Sequence, residues 1–214
     1  ARRANVSTNR QSRGRVLSVE GIDGAGTTTL AARLVEHLRG AGVSVHSVTQ
    51  PSDQLSGKVI RTLLAEGRGG EAQAAALALA FAADRLLLWD RLEANLQAGE
   101  WVVTDRSVMS SMVYQASELP ADWVDRINRY APRPDLTFLL DLSAECAMAR
   151  IGRRDGVRER YEKEGLLADF ARRYRAIDSQ RFGAPVLVVD AEQAPQEVFD
   201  ASVAAIAERG WLDG

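Results

Sequence analysis

The sequence predicts an α/β fold in which a central parallel five-stranded sheet is flanked by helices on both faces. Five short apolar runs, typical of buried strands, recur along the chain, and amphipathic or alanine-rich helical stretches separate them. A glycine-rich turn joins the first run directly to the first helical stretch. Strands that alternate with helices pair in parallel and are covered on both faces. Ligands of such sheets bind beyond the carboxyl ends of the strands.

The individual elements follow from periodicity and from the residues that end each run. The predicted strands are 16–19, 43–49, 101–104, 136–142 and 186–189, and the predicted helices are 30–38, 55–65, 71–98, 144–151, 166–177 and 195–209. Gly67, Gly69 and Gly70 form a stop signal before the long third helix, and Pro132 and Pro134 interrupt the chain before the fourth strand.

The start of the chain differs in composition from the rest. It combines arginine with serine, threonine and side-chain amides, and it contains no acid before Glu20. It lacks the apolar face of a transit peptide and the apolar core of a secretion signal. We therefore expect a disordered basic extension over residues 1–14 and a single domain over 15–214, with a mobile, arginine-rich lid at about 152–164.

Bulk composition narrows the classes of function. A net charge of −2 lacks the excess of positive charge that is typical of nucleic-acid-binding domains, so we expect no nucleic-acid partner. No apolar run approaches the roughly 20 residues of a membrane span, so we expect no membrane partner. The single cysteine, Cys146, excludes an internal disulfide and fits a reducing compartment, which predicts a cytoplasmic protein.

The string from Gly21 to Thr28 is the most informative motif, because it is close to the phosphate-binding pattern G-x-x-x-x-G-K-[ST]. Its glycines allow the backbone to curl and to direct N–H groups at phosphate oxygens. Thr28 stands where the hydroxyl that binds Mg²⁺ belongs, but Thr27 replaces the lysine. The predicted phosphate-donor site consists of Gly21, Gly24, Ala25, Gly26, Thr27, Thr28 and Thr29.

Asp105 and Arg106 end the third predicted strand, at the edge of the sheet where the phosphate loop begins. A carboxylate in this position can hold Mg²⁺, and together with Thr28 it is our predicted metal site. The guanidinium beside it can bind phosphate oxygens as a planar fork. The alternative is a helix-capping aspartate followed by a surface arginine. The phosphate loop favours the functional interpretation.

Phe81 and Arg85 lie four residues apart on the long helix, so their side chains share one face. A flat aromatic ring can stack on a base, and a guanidinium can donate hydrogen bonds to base carbonyls. On spacing alone, a core phenylalanine beside an arginine paired with an acid is the favoured alternative.

Residues 153–160 concentrate four arginines around one glycine. Such a run is usually a solvated helix end, but in a phosphoryl-transfer enzyme it can be a lid that brings arginine to the transferred group. Because the phosphate loop lacks its lysine, we favour the lid. Its candidate catalytic residues are Arg153, Arg154 and Arg158.

Together these motifs resemble those of the thymidylate kinase family, whose members make dTDP from dTMP and ATP. The similarity lies in segments 19–26, 79–85, 105–115, 134–141, 160–162 and 189–191, in the family's order between residues 15 and 209. The resemblance implies transfer of the γ-phosphoryl group of MgATP to dTMP for dTTP synthesis, Mg²⁺ as cofactor, and a homodimer.

The resemblance also assigns roles to individual residues. Asp23 would order the waters of Mg²⁺ or the surroundings of the acceptor phosphate, and Arg106 would bind that phosphate. Phe81 and Arg85 would hold thymine. The other implied contacts of the substrate are Pro51, Ser111, Tyr114 and Gln115, and Ala191 would begin the loop around adenine.

The chain departs from the family's pattern at three positions. Thr27 replaces the lysine, Ser107 replaces the usual tyrosine after Asp-Arg, and Gln50 precedes Pro51 where the family often has Glu. Two alternatives therefore stay open: a related kinase for another nucleotide or nucleoside, and a nucleotide-binding protein without turnover.

Overall fold

The computed structural model describes residues 13–67, 69–153, 161 and 164–212. Within them, five strands form one sheet in the order β2-β3-β1-β4-β5, and every neighbouring pair is parallel. The strands are β1 (Val16–Gly21), β2 (Val45–Thr49), β3 (Trp101–Asp105), β4 (Leu136–Asp141) and β5 (Val186–Asp190). The predicted fold class is confirmed. Most of the predicted basic extension and of the predicted lid lies outside the described residues.

Helices connect the strands and cover the sheet. In the described part of the chain they are α1 (Thr27–Gly40), α2 (Leu55–Glu66), α3 (Glu71–Gln97), α4 (Val108–Val113), α5 (Ala121–Ile127), α6 (Ala144–Ile151), α7 (Glu164–Arg175), α8 (Ser179–Phe182) and α9 (Pro195–Ala207). The sequence did not predict α4 and α5, because helices of six and seven residues are too short to show a periodic pattern. The hydroxyl of Ser107 caps α4 by accepting the N–H of Met109.

Successive residues of the central strands face opposite sides of the sheet and build two cores. On one side of the sheet, Leu17 and Val103 pack with helices α1, α4, α7 and α9. On the other side, Val16 and Val102 pack against the C-terminal half of α3. Strands β1 and β3 are buried along their whole length, as expected for a parallel sheet covered on both faces. The two cores therefore fix β1 and β3, which carry the phosphate loop and Asp105.

The register places the ends of three strands at one level. Val19 pairs with Asp105 of β3, and Asp105 also pairs with Thr49 of β2. The backbone N–H of Gln50 donates to Asp105 O (3.0 Å), and that of Arg106 donates to Val19 O (2.9 Å). The residues that follow β1, β2 and β3 thus meet at one edge of the sheet.

By length and composition alone, α3 is apolar enough to cross a membrane, and it is the one such helix in the described ranges. This finding corrects the expectation that no apolar stretch approaches that length. However, Asp84 and Arg85 within α3 are only 1% exposed, and the helix packs against α2, α4, α5 and β3. A helix that buries charges against its neighbours is typical of a protein core, so the finding is weak evidence for a membrane span.

Candidate active site

The phosphate loop lies between β1 and the first turn of α1. Gly24 and Gly26 have φ angles of +84° and +94°, a region that side chains other than glycine rarely adopt. A Cβ on Gly24 would lie 2.8 Å from the carbonyl oxygen of Ala147 in α6. The loop thus passes close to the backbone of α6. The N-terminus of α1 presents free N–H groups to it, which suits an anionic ligand.

The side chains at the start of α1 offer hydroxyls rather than charge. Thr27, at the position of the missing lysine, is 7% exposed. Thr28 donates its hydroxyl proton to Asp105 Oδ2 at 2.5 Å. The other carboxylate oxygen, Asp105 Oδ1, is buried and has no hydrogen-bond partner among the described residues. An unpartnered buried carboxylate oxygen beside a hydroxyl fits a hard, oxygen-preferring cation such as Mg²⁺.

Two of the cavities that adjoin the phosphate loop are lined by most of the predicted nucleotide-binding residues. The first is lined by the predicted residues Ala25, Gly26, Thr29 and Ala191. Arg33, Arg150 and Gln193 also line it, and Arg150 donates to Ala191 O at 2.7 Å. The sequence alone did not single out these three polar residues, because each belongs to a helix or turn without any motif of its own.

The second cavity is a pocket on the other side of the phosphate loop, and it is partly open to solvent. Every residue predicted to bind substrate lies in its wall: Pro51, Phe81, Arg85, Arg106, Ser111, Tyr114 and Gln115. Asp23 of the phosphate loop also lines it, together with Gln50, Leu64, Ser107, Ser110 and Tyr161. Residues from distant parts of the sequence thus converge on one pocket. The individual roles of these residues stay predictions.

Arg106 lies between the phosphate loop and the second cavity. It forms an ion pair with Asp23, and its Nη1 donates to Gly21 O at 3.1 Å and to Tyr114 OH at 3.3 Å. Its φ of +71° is in the left-handed region, a local strain of the kind that concentrates at functional sites. The side chain is only 20% exposed, so the alternative of a surface arginine is wrong.

Arg85 is a buried cation held by neutral acceptors. Its Nε donates to Gln50 Oε1 at 2.9 Å, its Nη2 to Ser111 Oγ at 3.1 Å, and its Nη1 to Asn128. Burial lowers the pKa of Arg85 to about 10, which leaves the guanidinium charged near neutral pH. No ion pair of Arg85 with an acid occurs among the described residues, so the alternative of an acid-paired core arginine is not supported.

Glu20 lies directly behind two residues that line the second cavity, Ser107 and Ser110, and the sequence alone assigned it no role. It is fully buried, and it accepts hydrogen bonds from Ser107, Ser110 and Tyr174. Burial raises the pKa of Glu20, and the hydrogen bonds oppose that rise. A single acid inside a buried, mostly apolar strand was the available signal, because buried carboxylates need partners.

The two ends of the predicted lid lie at the site. Ile151, the last residue of α6, would lie 3.2 Å from a Cβ on Gly24, and the exposed Arg153 follows it. Tyr161 lines the second cavity and contacts Tyr114, with 5.3 Å between ring centroids. Arg154 and Arg158, the other candidate catalytic arginines, lie outside the described residues.

A phosphate loop at a sheet edge, a carboxylate beside its threonine and two adjoining cavities define the class of P-loop nucleotide kinases. Comparison with known proteins narrows the class. The family model described as thymidylate kinase matches residues 19–201. The chain therefore belongs to the thymidylate kinase family.

Individual relatives agree with this assignment. A probable thymidylate kinase of Methanothermobacter thermautotrophicus is 46% identical over 157 residues, which cover 66% of this chain and 76% of the relative. One from Thermococcus onnurineus is 34% identical over 196 residues, covering 88% and 95%. A solved thymidylate kinase from Candida albicans superposes with a TM-score of 0.79 at 23% identity, covering 92% and 93% of the two chains, and it supports the fold.

Proposed function

We propose that this protein transfers the γ-phosphoryl group of MgATP to dTMP, giving dTDP and ADP. Membership of the family supports the reaction, and one structural observation carries it. Arg106 is ion-paired with Asp23 of the phosphate loop and also lines the second cavity. A single guanidinium thus adjoins both the donor-phosphate loop and the acceptor pocket, where a group in transfer would need it.

The acceptor needs no catalytic base in this reaction. A phosphate monoester has a second pKa near 6, so dTMP is largely a dianion near neutral pH and already carries its nucleophile. The remaining difficulty is to align two polyanions and to stabilise the charge on the transferred group. In the proposal, Arg106 binds the acceptor phosphate, Phe81 stacks on thymine, and Arg85 and Ser111 face the base. Pro51, Tyr114 and Gln115 complete the walls around base and sugar.

Mg²⁺ would be held by Asp105 and Thr28, since Asp105 Oδ1 is unpartnered among the described residues and lies in a carboxylate that Thr28 already contacts. When bound, the metal neutralises charge on the β- and γ-phosphate oxygens of ATP. The cavity lined by Ala191 and Arg150 would take the adenosine half of ATP, with the N–H groups of the phosphate loop on its phosphates.

Thr27 leaves the donor phosphates without the usual lysine. Loss of one preorganised donor at such a site lowers the rate by about a hundredfold, or roughly 3 kcal/mol. We propose that one of Arg153, Arg154 and Arg158 supplies the missing cation from the lid. The position of Arg153 supports this, because it follows the helix end that packs on Gly24.

The neutral Thr27 also favours a second candidate, a nucleotide-binding protein without turnover. The direct test is ADP formation from MgATP with dTMP, beside dUMP, dCMP, dGMP and thymidine. Turnover that prefers dTMP supports the kinase. No turnover, with ATP and dTMP both binding by calorimetry, supports the second candidate, and preference for another acceptor would retain the fold but change the substrate.

We further propose a cytoplasmic homodimer formed through α3, without nucleic-acid or membrane partners. Leu79, Leu86 and Leu87 are 49%, 37% and 53% exposed. Their spacing of seven and eight residues places them on one face of the helix. An apolar stripe of this kind is typical of a surface that a second copy covers.

A further inference from the structure

Glu20 is hydrogen-bonded to the first turn of α4 and to α7. Its Oε1 accepts the backbone N–H of Ser107 at 2.6 Å and the hydroxyl of Ser107 at 2.7 Å. Its Oε2 accepts the hydroxyl of Ser110 at 2.7 Å and that of Tyr174 at 3.0 Å. None of these groups has a part in the mechanism above. A fully buried carboxylate that accepts four hydrogen bonds has its hydrogen-bonding capacity filled, which fixes the position of every donor around it.

This network reaches both arginines of the acceptor cavity. The carbonyl oxygen of Ser107 accepts from Arg85 Nη2 at 3.3 Å, so Glu20 orders the residue that helps to hold Arg85. Ser110 Oγ accepts from Arg106 Nη1 at 3.4 Å while it donates to Glu20. One carboxylate thus connects the cation that faces the base with the cation that faces the phosphate.

Charge complements this geometry. Glu20 attracts both Arg85 and Arg106. Arg85 has only neutral hydrogen-bond acceptors among the described residues, and Arg106 has Asp23. The hydroxyl of Ser107 adds a second hydrogen bond to Glu20 beside that of its backbone N–H, so the residue that accepts from Arg85 is held at two points.

We propose that Glu20 is a positioning residue that couples the base-binding half of the acceptor site to its phosphate-binding half. The inference rests on the proposed function, because it takes dTMP as the acceptor. An ionised Glu20 can only accept hydrogen bonds, so it requires Ser110 to donate to it and leaves Ser110 Oγ free to accept from Arg106. A nucleotide that engages Arg85 through its base then finds Arg106 already oriented for its phosphate.

The variant Glu20→Gln tests the coupling with little change of shape. Its amide nitrogen donates to Ser110, whose own proton must then point elsewhere and compete with the N–H of Arg106. We expect thymidine, which lacks the phosphate, to bind with nearly unchanged affinity. The affinity for dTMP should fall, so that the ratio of dTMP to thymidine affinity drops at least about tenfold, the ratio that corresponds to roughly one lost hydrogen bond to a charged group. Calorimetry or competition binding measures both ligands without any turnover.

Ser18→Ala is the matched control. Ser18 is also fully buried in β1, but its hydroxyl bonds to Thr137 at 2.8 Å, and Thr137 does not line the cavity, whereas the partners Ser107 and Ser110 of Glu20 do. This variant loses a buried hydrogen bond of the same strand, and we expect its ratio of dTMP to thymidine affinity to stay close to that of wild type. If Glu20 only stabilised strand β1, Glu20→Gln and Ser18→Ala would change the affinity ratio by similar amounts.

A second variant keeps the inference testable if Glu20→Gln fails to fold. Ser110→Ala removes the hydroxyl that connects Glu20 to Arg106, together with its contact to Tyr174, and leaves the hydrogen bonds of Ser107 to Glu20 and Arg85 in place. We expect the same fall in the ratio with unchanged thymidine binding. An unchanged ratio in either folded variant overturns the coupling.

A wild-type protein that binds dTMP tightly but does not turn it over contradicts the proposed function and leaves the coupling measurable. A wild-type protein that does not bind dTMP contradicts both.

Discussion

At the start of α1, Thr27 places a buried hydroxyl where the phosphate-loop pattern has a lysine ammonium. A hydroxyl donates one neutral hydrogen bond, so it cannot replace the charge that a lysine brings to the β- and γ-phosphates. The guanidinium of Arg106 already forms an ion pair with Asp23 and lines the acceptor cavity. In the proposal the cation comes from another segment, and the arginines that follow α6 are the candidates because the end of α6 packs on Gly24 of the loop.

A second residue-scale consequence concerns pH. Because burial raises the pKa of Glu20 in the folded protein, the folded state binds a proton at this carboxyl more tightly than the unfolded state does. The stability contributed by that proton is fully present below the usual carboxyl pKa of 4.5 and is lost as pH rises through the folded value.

We therefore expect acidification from about pH 8 towards about pH 5 to stabilise wild type relative to Glu20→Gln. Thermal unfolding of both proteins at several pH values measures the difference in Tm. A difference that is constant with pH, or one that shifts against wild type on acidification, would show that the pKa is not raised.

Sequence reasoning named most of the residues that line the acceptor cavity, because phosphate chemistry demands recognisable residue types at fixed spacings. Asp23, Arg106 and the residues around Phe81 and Arg85 all reached the predicted pocket. It missed Glu20 and Arg150, whose neighbours in space come from distant strands and helices. Their importance depends on contacts that no local pattern records.

At the scale of elements, the phosphate loop and α6 depend on each other. Gly24 has a positive φ and leaves no room for a Cβ against Ala147. Gly24→Ala should destabilise the protein by about 2 kcal/mol or more and raise the KM for ATP, since the loop must move away from α6. Urea unfolding and steady-state kinetics measure the two effects.

Gly40→Ala is the matched control for this substitution. Gly40 ends α1, and a Cβ there meets no atom within 4 Å. A glycine in a helix is about 0.5–1 kcal/mol less favourable than alanine, so we expect a small gain of stability and an unchanged KM. Equal effects of the two substitutions would show that the close approach to α6 does not matter.

The elements themselves were predictable where they are long and periodic. All five strands appear within about two residues of their predicted bounds, because each is a short apolar run between clear breakers. The short helices α4 and α5 were not predicted, since they contain only one or two turns and depend on packing against the rest of the protein.

At the scale of the whole molecule, the strand order places the site. Strand β1 lies between β3 and β4, so the loop that leaves it opens at the carboxyl edge between the two halves of the sheet. Residues that follow β1, β2 and β3 therefore meet there. In the proposed dimer, a second copy covers the exposed leucines of α3.

If α3 forms the dimer, wild type should sediment at about twice its chain mass of 23.3 kDa. Leu79→Glu combined with Leu87→Glu should give a monomer, because two carboxylates would be buried without partners. Tyr130→Glu, at another apolar residue that is 69% exposed, is the control and should remain dimeric. Wild type that is monomeric at micromolar concentration would exclude this dimer.

In the proposed mechanism, catalysis survives the loss of the phosphate-loop lysine because the lid supplies a cation. The most direct test measures kcat for dTMP phosphorylation after Arg153, Arg154 and Arg158 are each replaced by alanine, in wild type and in a Thr27→Lys background. We predict that one replacement lowers kcat by about a hundredfold in wild type but by less than about tenfold in the Thr27→Lys background, where the loop has its own ammonium. Three mild losses, or an equally severe loss in both backgrounds, would contradict the claim.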